Sequence, residues 1–487
     1  MSPLRAAAQD VPLSERGVVQ QTIAQNPTLH AAISDLQQSA ASLRVEEARY
    51  RPRLLVDASG AHQNVPNVDF LGGTTTLRSQ TLNVVAEVNQ TFSWGSTLAF
   101  RLENQNSRIE GPLYTGSTEI FKLGPSHLLG ARLTLTQPLL RGFGNDVGLA
   151  SLRTASLNRR EQERARDATA SQVLSAALQA YWELWYTQRA LTIEREARDL
   201  AALQRDETAR KVSAGSMAEV DLLTFETRLA QLEQSVLDAQ VAVLSRSVEL
   251  RKALGVTAAT AFDVSSAEPP ELAAIDHKTT LAAAEESSYN VAQLKLALER
   301  SATTLRSAAD ATRARLDVSA WLQAQGLGNQ SLSGALEQLG GLENVSGNVG
   351  VTFELPFSSQ QHDAQLASAR LAVTAARDRL VAAIQQIRAD TETELTTLAQ
   401  ARDKITLAER TADISRRSAE AQQKRLQNGT ALTLEVREAE DAHRRAKLSI
   451  ERQRVDATKA RIRLAQLTGH LLIEWGITLG ATSARDR

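Results

Sequence analysis

The chain has 487 residues, 42% of them hydrophobic and 23% charged, and its 55 basic residues stand against 56 acidic ones for a formal net charge of −1. That balance leaves no electrostatic excess to draw nucleic acid, and the absence of cysteine excludes disulfides, thiolate metal sites and a lipidated cysteine in this sequence. No run of about 18 apolar residues occurs, so a transmembrane helix is excluded and any crossing of a bilayer must use strands.

Residues 1–10 lack the apolar core of a secretory signal; the strands downstream favour a chain whose leader has been removed. Asn26-Pro27 opens a helix predicted over 27–50, the proline suiting a first helical turn. At Arg51-Pro52-Arg53-Leu54 the apolar period switches from 3.6 to 2. Leu54, Val56 and Ala58 alternate with Arg53, Asp57 and Ser59, and the runs Leu82-Val84-Ala86-Val88, Leu98-Phe100-Leu102 and Ala131-Leu133-Leu135 repeat the pattern. These are strands with one apolar and one polar face, in a β region over 53–138. Segments 62–79 and 104–127, rich in Gly, Asn, Ser and Thr, read as exposed loops. A helix over 146–213 follows, free of proline and nearly free of glycine; at ~1.5 Å per residue it is ~100 Å long, beyond any globular core. Gly215 turns the chain into a helix over 218–254, and 256–276, with Glu268-Pro269-Pro270-Glu271, reads as a linker.

The same order then recurs: a helix over 290–312, a β region over 315–356 with a loop at 325–346, a helix over 360–427, a turn at Gly429, a helix over 432–468 and a tail over 470–487. Gly215 and Gly429 are 214 residues apart, as are Gly255 and Gly469. The chain therefore reads as two structural repeats, 1–276 and 277–487, each far longer than the 20–50-residue period of a solenoid. Pro52 to Pro138 spans 86 residues against 42 from Ala314 to Pro356, because the first repeat holds an additional alternating pair over 81–92 and 97–104. The pattern leaves open whether that pair widens a membrane wall or forms a separate hairpin.

In the helix after Gly215, Leu222, Leu229, Val236, Val243 and Leu250 repeat every seven residues, with Phe225, Leu232, Ala239 and Ala253 at the intervening seam positions. Arg246 is the one break in this Ala-containing coiled-coil seam. The first helix of each repeat plus its last add up to the length of the long one, so the two short helices stack end to end along it. Each unit is a long helical hairpin whose open end carries strands. Two such hairpins give about four strands, whereas closed membrane barrels have at least ~8 and an open edge in lipid is costly, so several copies must pool strands. Periodicity alone also allows a soluble coiled-coil scaffold bearing a β-sandwich.

The paired Gly-x5-acid turns, Pro52 at the helix-to-strand switch, the run Gln137-Pro138-Leu139-Leu140-Arg141-Gly142-Phe143-Gly144 and the helices ending Leu254-Gly255 and Thr468-Gly469 resemble the TolC-like outer-membrane efflux proteins, the outer membrane factors. The resemblance covers about residues 20–470. It implies a mainly α mixed fold: helical hairpins forming a trimeric α-barrel tunnel in the periplasm, capped by a shared 12-stranded antiparallel β-barrel in the outer membrane. The implied function is the passive exit duct of a tripartite efflux or type I secretion system. Its implied partners are two further copies, a periplasmic adaptor (membrane fusion protein), an inner-membrane pump and outer-membrane lipid.

By position, the resemblance puts the adaptor-docking helix tips at Gly215, Ser216, Met217, Gly429, Thr430 and Ala431, and a periplasmic aperture ring of acids at Asp221, Glu435 and Glu438. Thr224 stands where the first repeat would match Glu438, and the polar latch positions of some members fall on Leu426 and Ala431, whose side chains cannot hydrogen-bond. Trp94, Trp321, Phe92 and Phe100 are candidate markers of the bilayer interfaces. Tyr181, Trp182, Trp185 and Tyr186, mid-helix, read as core. The seven histidines share no ligand spacing, Gly142-x-Gly144 lacks the third glycine of a dinucleotide loop, and no nucleophile–base pairing can be argued. Neither catalysis nor a cofactor or metal is expected.

Overall fold

The computed structural model describes residues 11–69, 71–257, 261–270, 276–355, 360–428 and 430–479. In chain order, β1 (Val11–Pro12), α1 (Glu15–Gln25) and α2 (Pro27–Ala48) lead to four long strands, β2 (Arg53–Val68), β3 (Thr74–Thr91), β4 (Thr97–Pro112) and β5 (Ile120–Pro138). The one-turn α3 (Asn145–Gly148), the 64-residue α4 (Ala150–Ser213), α5 (Glu219–Leu254) and β6 (Phe262–Asp263) complete the first half. The second half holds α6 (His277–Ser287), α7 (Tyr289–Ala311), β7 (Arg315–Asn329), α8 (Leu332–Gly340), β8 (Asn344–Glu354), the 68-residue α9 (Gln360–Gln427), α10 (Thr433–Leu467) and α11 (Leu471–Glu474). Two compact units form, each drawing on both halves of the sequence: one takes the chain up to Gln37, Glu161–Lys295 and everything from Arg379, the other Gln38–Arg160 and Leu296–Asp378.

The first unit is helical. Along α5 the predicted seam residues Phe225, Leu232, Val236 and Leu250 are buried, with Leu222, Leu229 and Val243 half-buried beside them. Leu395 and Leu398 of α9 pack on Ala460 and Leu464 of α10, the small alanine allowing close approach. The main core gathers where α1, α4, α5 and α10 meet. Tyr181, Trp182 and Trp185 are fully buried among Val18, Leu29, Leu250, Leu254 and Val455, as their spacing on one helix face predicts. Each indole N–H finds an acceptor, Trp182 Nε1 donating to Glu15 Oε1 at 2.7 Å and Trp185 Nε1 to the Ala267 carbonyl at 2.8 Å, as burial of a polar aromatic requires.

Two segments expected as linker and tail belong to this core. Phe262, Val264, Leu471 and Leu472 are buried in it, and β6 pairs in parallel with β1. Gln188 holds the strand end from both sides, donating to the Phe262 carbonyl at 2.8 Å and accepting from the Val264 N–H at 3.0 Å. Apolar runs of two or three residues carry no readable period, so the sequence marks them only as breaks between helices. Helices α1 and α6, also unanticipated, are announced by their caps: Ser14 accepts from the Gly17 N–H and Asp276 from the Lys278 N–H. The glycines ending α5 and α10 have matching reasons. Gly255 (φ 77°) and Gly469 (φ 72°) adopt left-handed backbone, and a Cβ on either would come within 2.5 Å of the carbonyl of Gln25 or Ser287 respectively.

The second unit is built on one antiparallel sheet in the order β2-β3-β4-β5-β7-β8. It has six strands where about four were expected, because the additional pair, β3 and β4, lies inside the sheet between β2 and β5. The strands also run through most of what reads as loops: β2 pairs with β3 from Arg53↔Asn89 to Val68↔Thr74, and β4 with β5 as far as Pro112↔Ile120. The Thr, Asn and Ser residues there take ladder hydrogen bonds as well as apolar ones do, and β-branched Thr favours the extended chain. Within 325–346, β7 continues to Asn329 and α8 follows. Gly326 and Gly328 make room for the α8 backbone at Ala335 and Ser331.

Register places the alternating residues on common faces. Leu54 stands opposite Val88, Val88 opposite Phe100, Phe100 opposite Leu133, Leu133 opposite Leu322 and Leu322 opposite Gly347, so one face is apolar from edge to edge. The other face carries Arg101, whose guanidinium lies 3.1 Å from Glu103 and 3.8 Å from Glu87. Trp321 is on this polar face, 4.1 Å beneath the Arg132 guanidinium, and so does not mark a lipid interface. Phe100 is on the apolar face, and Trp94 stacks on Phe92 at 4.7 Å in the β3–β4 turn. The Pro138–Gly144 run is a tight turn with Gly142 and Gly144 at positive φ; the Gly142 N–H donates to Asp310 Oδ2 at 2.8 Å.

Candidate functional site: the helix tips

The two helical hairpins turn alike. After α4, the Ser216 N–H and Oγ both donate to the Lys211 carbonyl at 2.9 Å, with Gly215 at φ 73°. After α9, the Thr430 N–H and Oγ1 both donate to the Arg425 carbonyl, at 2.8 and 3.1 Å. The 214-residue offset thus holds donor for donor, a hydroxyl satisfying a carbonyl that the helix end would leave orphaned. Gly215, Ser216 and Thr430 are exposed and Met217 and Ala431 half-buried; Gly429 lies outside the described residues.

Glu219 and Asp221 sit in the first turn of α5 and Glu435 in that of α10, where the helix N-terminus favours negative charge. Asp221 Oδ1 accepts from Thr433 Oγ1 at 3.3 Å, so the structure brings the acid of the first tip to the start of the second tip's helix. Glu435 lies 3.9 Å from Arg425 on its own hairpin, and Glu438, one turn on, is exposed. Among the described residues no group of His, Cys, Asp and Glu could hold a metal ion, and no helix is long and apolar enough to cross a membrane.

Residues 280–470 match the family model described as outer membrane efflux protein. The match covers most of the second half of the chain, which carries an outer membrane efflux protein region. No curated protein matches the sequence. Among solved structures, the chain is similar to CusC (TM-score 0.66, 15% identity, over 96% of this chain and 95% of that one) and to VceC of Vibrio cholerae (0.66, 15%, 93% and 96%). It is similar also to the CmeC outer membrane channel of Campylobacter jejuni (0.66, 14%, 96% and 91%). At such identities the likeness is one of fold, and it extends over nearly the whole of each chain. The efflux-protein match leaves the soluble scaffold without support.

The helical unit also carries buried charge that was not expected from the sequence. Arg228 of α5, with a side chain only 6% exposed, lies against α10: Nη2 is 3.2 Å from Glu440 and 3.4 Å from Asp441, and Nη1 donates to the Arg437 carbonyl at 3.0 Å. Gln204 of α4 donates to Glu440 Oε1 at 2.6 Å. Burial pushes the Glu440 carboxyl above its ordinary pKa, against the pull of the Gln204 hydrogen bond and the Arg228 charge. Further from the tips, Arg444 Nη1 donates to both Glu194 oxygens at 2.7 and 2.9 Å, and Glu183 pairs with Arg452 at 3.1 Å and with Lys459. At Glu183 burial works upward, but the two cations outweigh it and hold the carboxyl below the ordinary value. The one sequence signal was asymmetry: Ala442 occupies in the second repeat the place that Arg228 takes in the first.

Proposed function

We propose that three copies of this chain form a passive duct through the outer membrane, serving a tripartite efflux or type I secretion pathway with a periplasmic adaptor and an inner-membrane pump. The observation that carries the reading is the six-stranded sheet, apolar on one face, polar on the other and open at both edges. In hydrocarbon each unpaired backbone N–H or C=O costs several kcal/mol, so neighbouring copies must complete such a sheet. A second stripe on α5 supports the same assembly. Val220, Leu223, Leu237, Val241, Leu244 and Val248 are each more than half exposed, and the last four follow heptad spacing, the signature of a seam awaiting a helix from another copy. Solutes pass along the polar face without chemical change. Expressed behind a signal peptide in a host with two membranes, the protein is expected in the outer-membrane fraction, released by detergent at three times the mass of one chain. A monomer that stays in solution without detergent contradicts the reading.

In this assembly the tips Gly215-Ser216-Met217 and Gly429-Thr430-Ala431 meet the adaptor, and Asp221, Glu435 and Glu438 line the periplasmic aperture. The exposure of the braced turns and the acids' position within two turns of them support this. Like charges around a narrow opening attract divalent cations. Block of the reconstituted channel by such cations should therefore be lost in the triple variant Asp221→Ala, Glu435→Ala, Glu438→Ala; unchanged block removes the assignment. The repeats 1–276 and 277–487 then act as six quasi-equivalent hairpins around one ring.

A further inference from the structure

The strand count within one chain has a consequence for the size of the wall. We infer that all six strands lie in the membrane and that three copies close an eighteen-stranded barrel, β8 of each copy pairing with β2 of the next, instead of a twelve-stranded one. The inference rests on the duct reading and adds the dimensions of the duct.

Strands β3 and β4 are full members of the sheet. They pair with each other from Thr91↔Thr97 to Arg78↔Glu110, and with β2 and β5 along their outer sides. Their apolar face carries Val84, Ala86, Val88, Phe100 and Leu102, continuous with Leu54 and Val56 on one side and Leu133 and Leu135 on the other. A hairpin standing outside the bilayer would need no such face, and removing it would leave β2 and β5 each with a bare edge.

The stagger of the strands fits closure. Starting at Arg53, the first residue of β2, register runs to Asn89, Ala99, Thr134, Trp321 and Asn348. Asn348 is six residues before the last residue of β8, Glu354. Strand ends on the side of the long helices therefore step by about one residue per strand. At ~3.3 Å along and ~4.8 Å across, that step corresponds to a tilt of about 35°, within the range at which strands close into barrels. Across the sheet the apolar band shifts with the stepped ends: in β3 it runs from Leu82 to Val88, whose row is that of Leu322 and Gly347, whereas in β7 it runs from Ala324 on to Leu316 and in β8, in register with β7, from Val345 on to Phe353. Nine residues at that tilt stand ~25 Å high, the height of the apolar band of an outer-membrane barrel.

The edges are complementary. Among the described residues β2 and β8 have no outer partner, and with six alternating strands β8 runs antiparallel to the β2 of a neighbour. Six strands are too few to close alone, since membrane barrels begin at about eight. Diameter grows roughly linearly with strand number, so eighteen strands give a wall about 1.5 times as wide as twelve, in the range that leaves an open aqueous channel.

Because the chain has no cysteine, single cysteines report without background. Val84→Cys and Leu102→Cys, with Leu133→Cys and Val351→Cys as references, are labelled with a fluorophore and reconstituted into bilayers containing brominated lipid. Quenching at all four sites is expected. Quenching at the references but not at Val84 and Leu102 overturns the inference while leaving the duct intact; no quenching at any site overturns the duct reading itself. In the Leu54→Cys, Phe353→Cys double variant, oxidation should link copies covalently into closed trimers, and a product that stays monomeric overturns the edge pairing. Cryo-electron microscopy of the oligomer in nanodiscs counts the strands directly: eighteen are expected, and twelve, whether from two copies or from three, refutes the proposal.

Discussion

Arg228 shows how much a single side chain decides near the tip. Its guanidinium is almost wholly buried with two carboxylates and a backbone carbonyl. Removing one partner of such a cluster strands a buried charge, at a cost of about 3–5 kcal/mol. Arg228→Ala is therefore expected to lower hydrogen-exchange protection in α10 around Arg437 and Asp441 by two to three orders of magnitude, whereas Arg228→Met combined with Glu440→Leu should restore most of it. Unchanged protection in the single variant would show that the cluster does not hold α5 to α10. The two shifted carboxylates give opposite pH signatures. Glu440, raised above 4.5, keeps its proton in the folded state where the unfolded chain has lost it, so stability falls as pH rises from 4.5 through the raised value. Glu183, lowered below 4.5, adds stability above 4.5 that is lost as pH falls through its folded value. Urea unfolding against pH should thus flatten just above 4.5 in Glu440→Gln and below 4.5 in Glu183→Gln; the reverse pattern contradicts these assignments. Beyond the asymmetry with Ala442, the sequence does not reveal these partners, because Arg228 meets acids more than 200 residues away.

At the scale of elements, legibility followed length and period. A run of 68 residues without proline or glycine can only be one long helix, and α9 spans it from Gln360 to Gln427. The tip turns were legible because glycine and a hydroxyl recur at a fixed offset. Segments 62–79 and 104–127 were not, because Thr, Asn and Ser serve a loop or a solvated strand end equally well, and only the pairing partner decides between them. The exposed heptad on α5 belongs to this scale as well. Burying a leucine contributes roughly 1.5–3 kcal/mol, so Leu237→Asp with Leu244→Asp should split the purified oligomer into single chains at unchanged helix content. Light scattering in detergent decides this, and an intact oligomer would show that the stripe is not a seam between copies.

For the whole molecule, a duplicated hairpin supplies the same three main helices from each half, α2, α4 and α5 and then α7, α9 and α10, but strands of the six-stranded sheet in unequal number among the described residues, four from the first half and two from the second. The two tip hairpins match residue for residue at the 214-residue offset, while in the sheet β3 and β4 stand between β2 and β5 with no counterpart in the second half. The additional pair keeps the strand number of the sheet even, as the proposed antiparallel join between copies requires. A duct of this kind makes a hole through a membrane. Single-channel recording of the purified oligomer in a planar lipid bilayer tests it most directly. Discrete, long-lived current steps are predicted, absent for the Leu237→Asp, Leu244→Asp variant; intact oligomer that inserts and carries no current, or that never enters the bilayer, contradicts the claim.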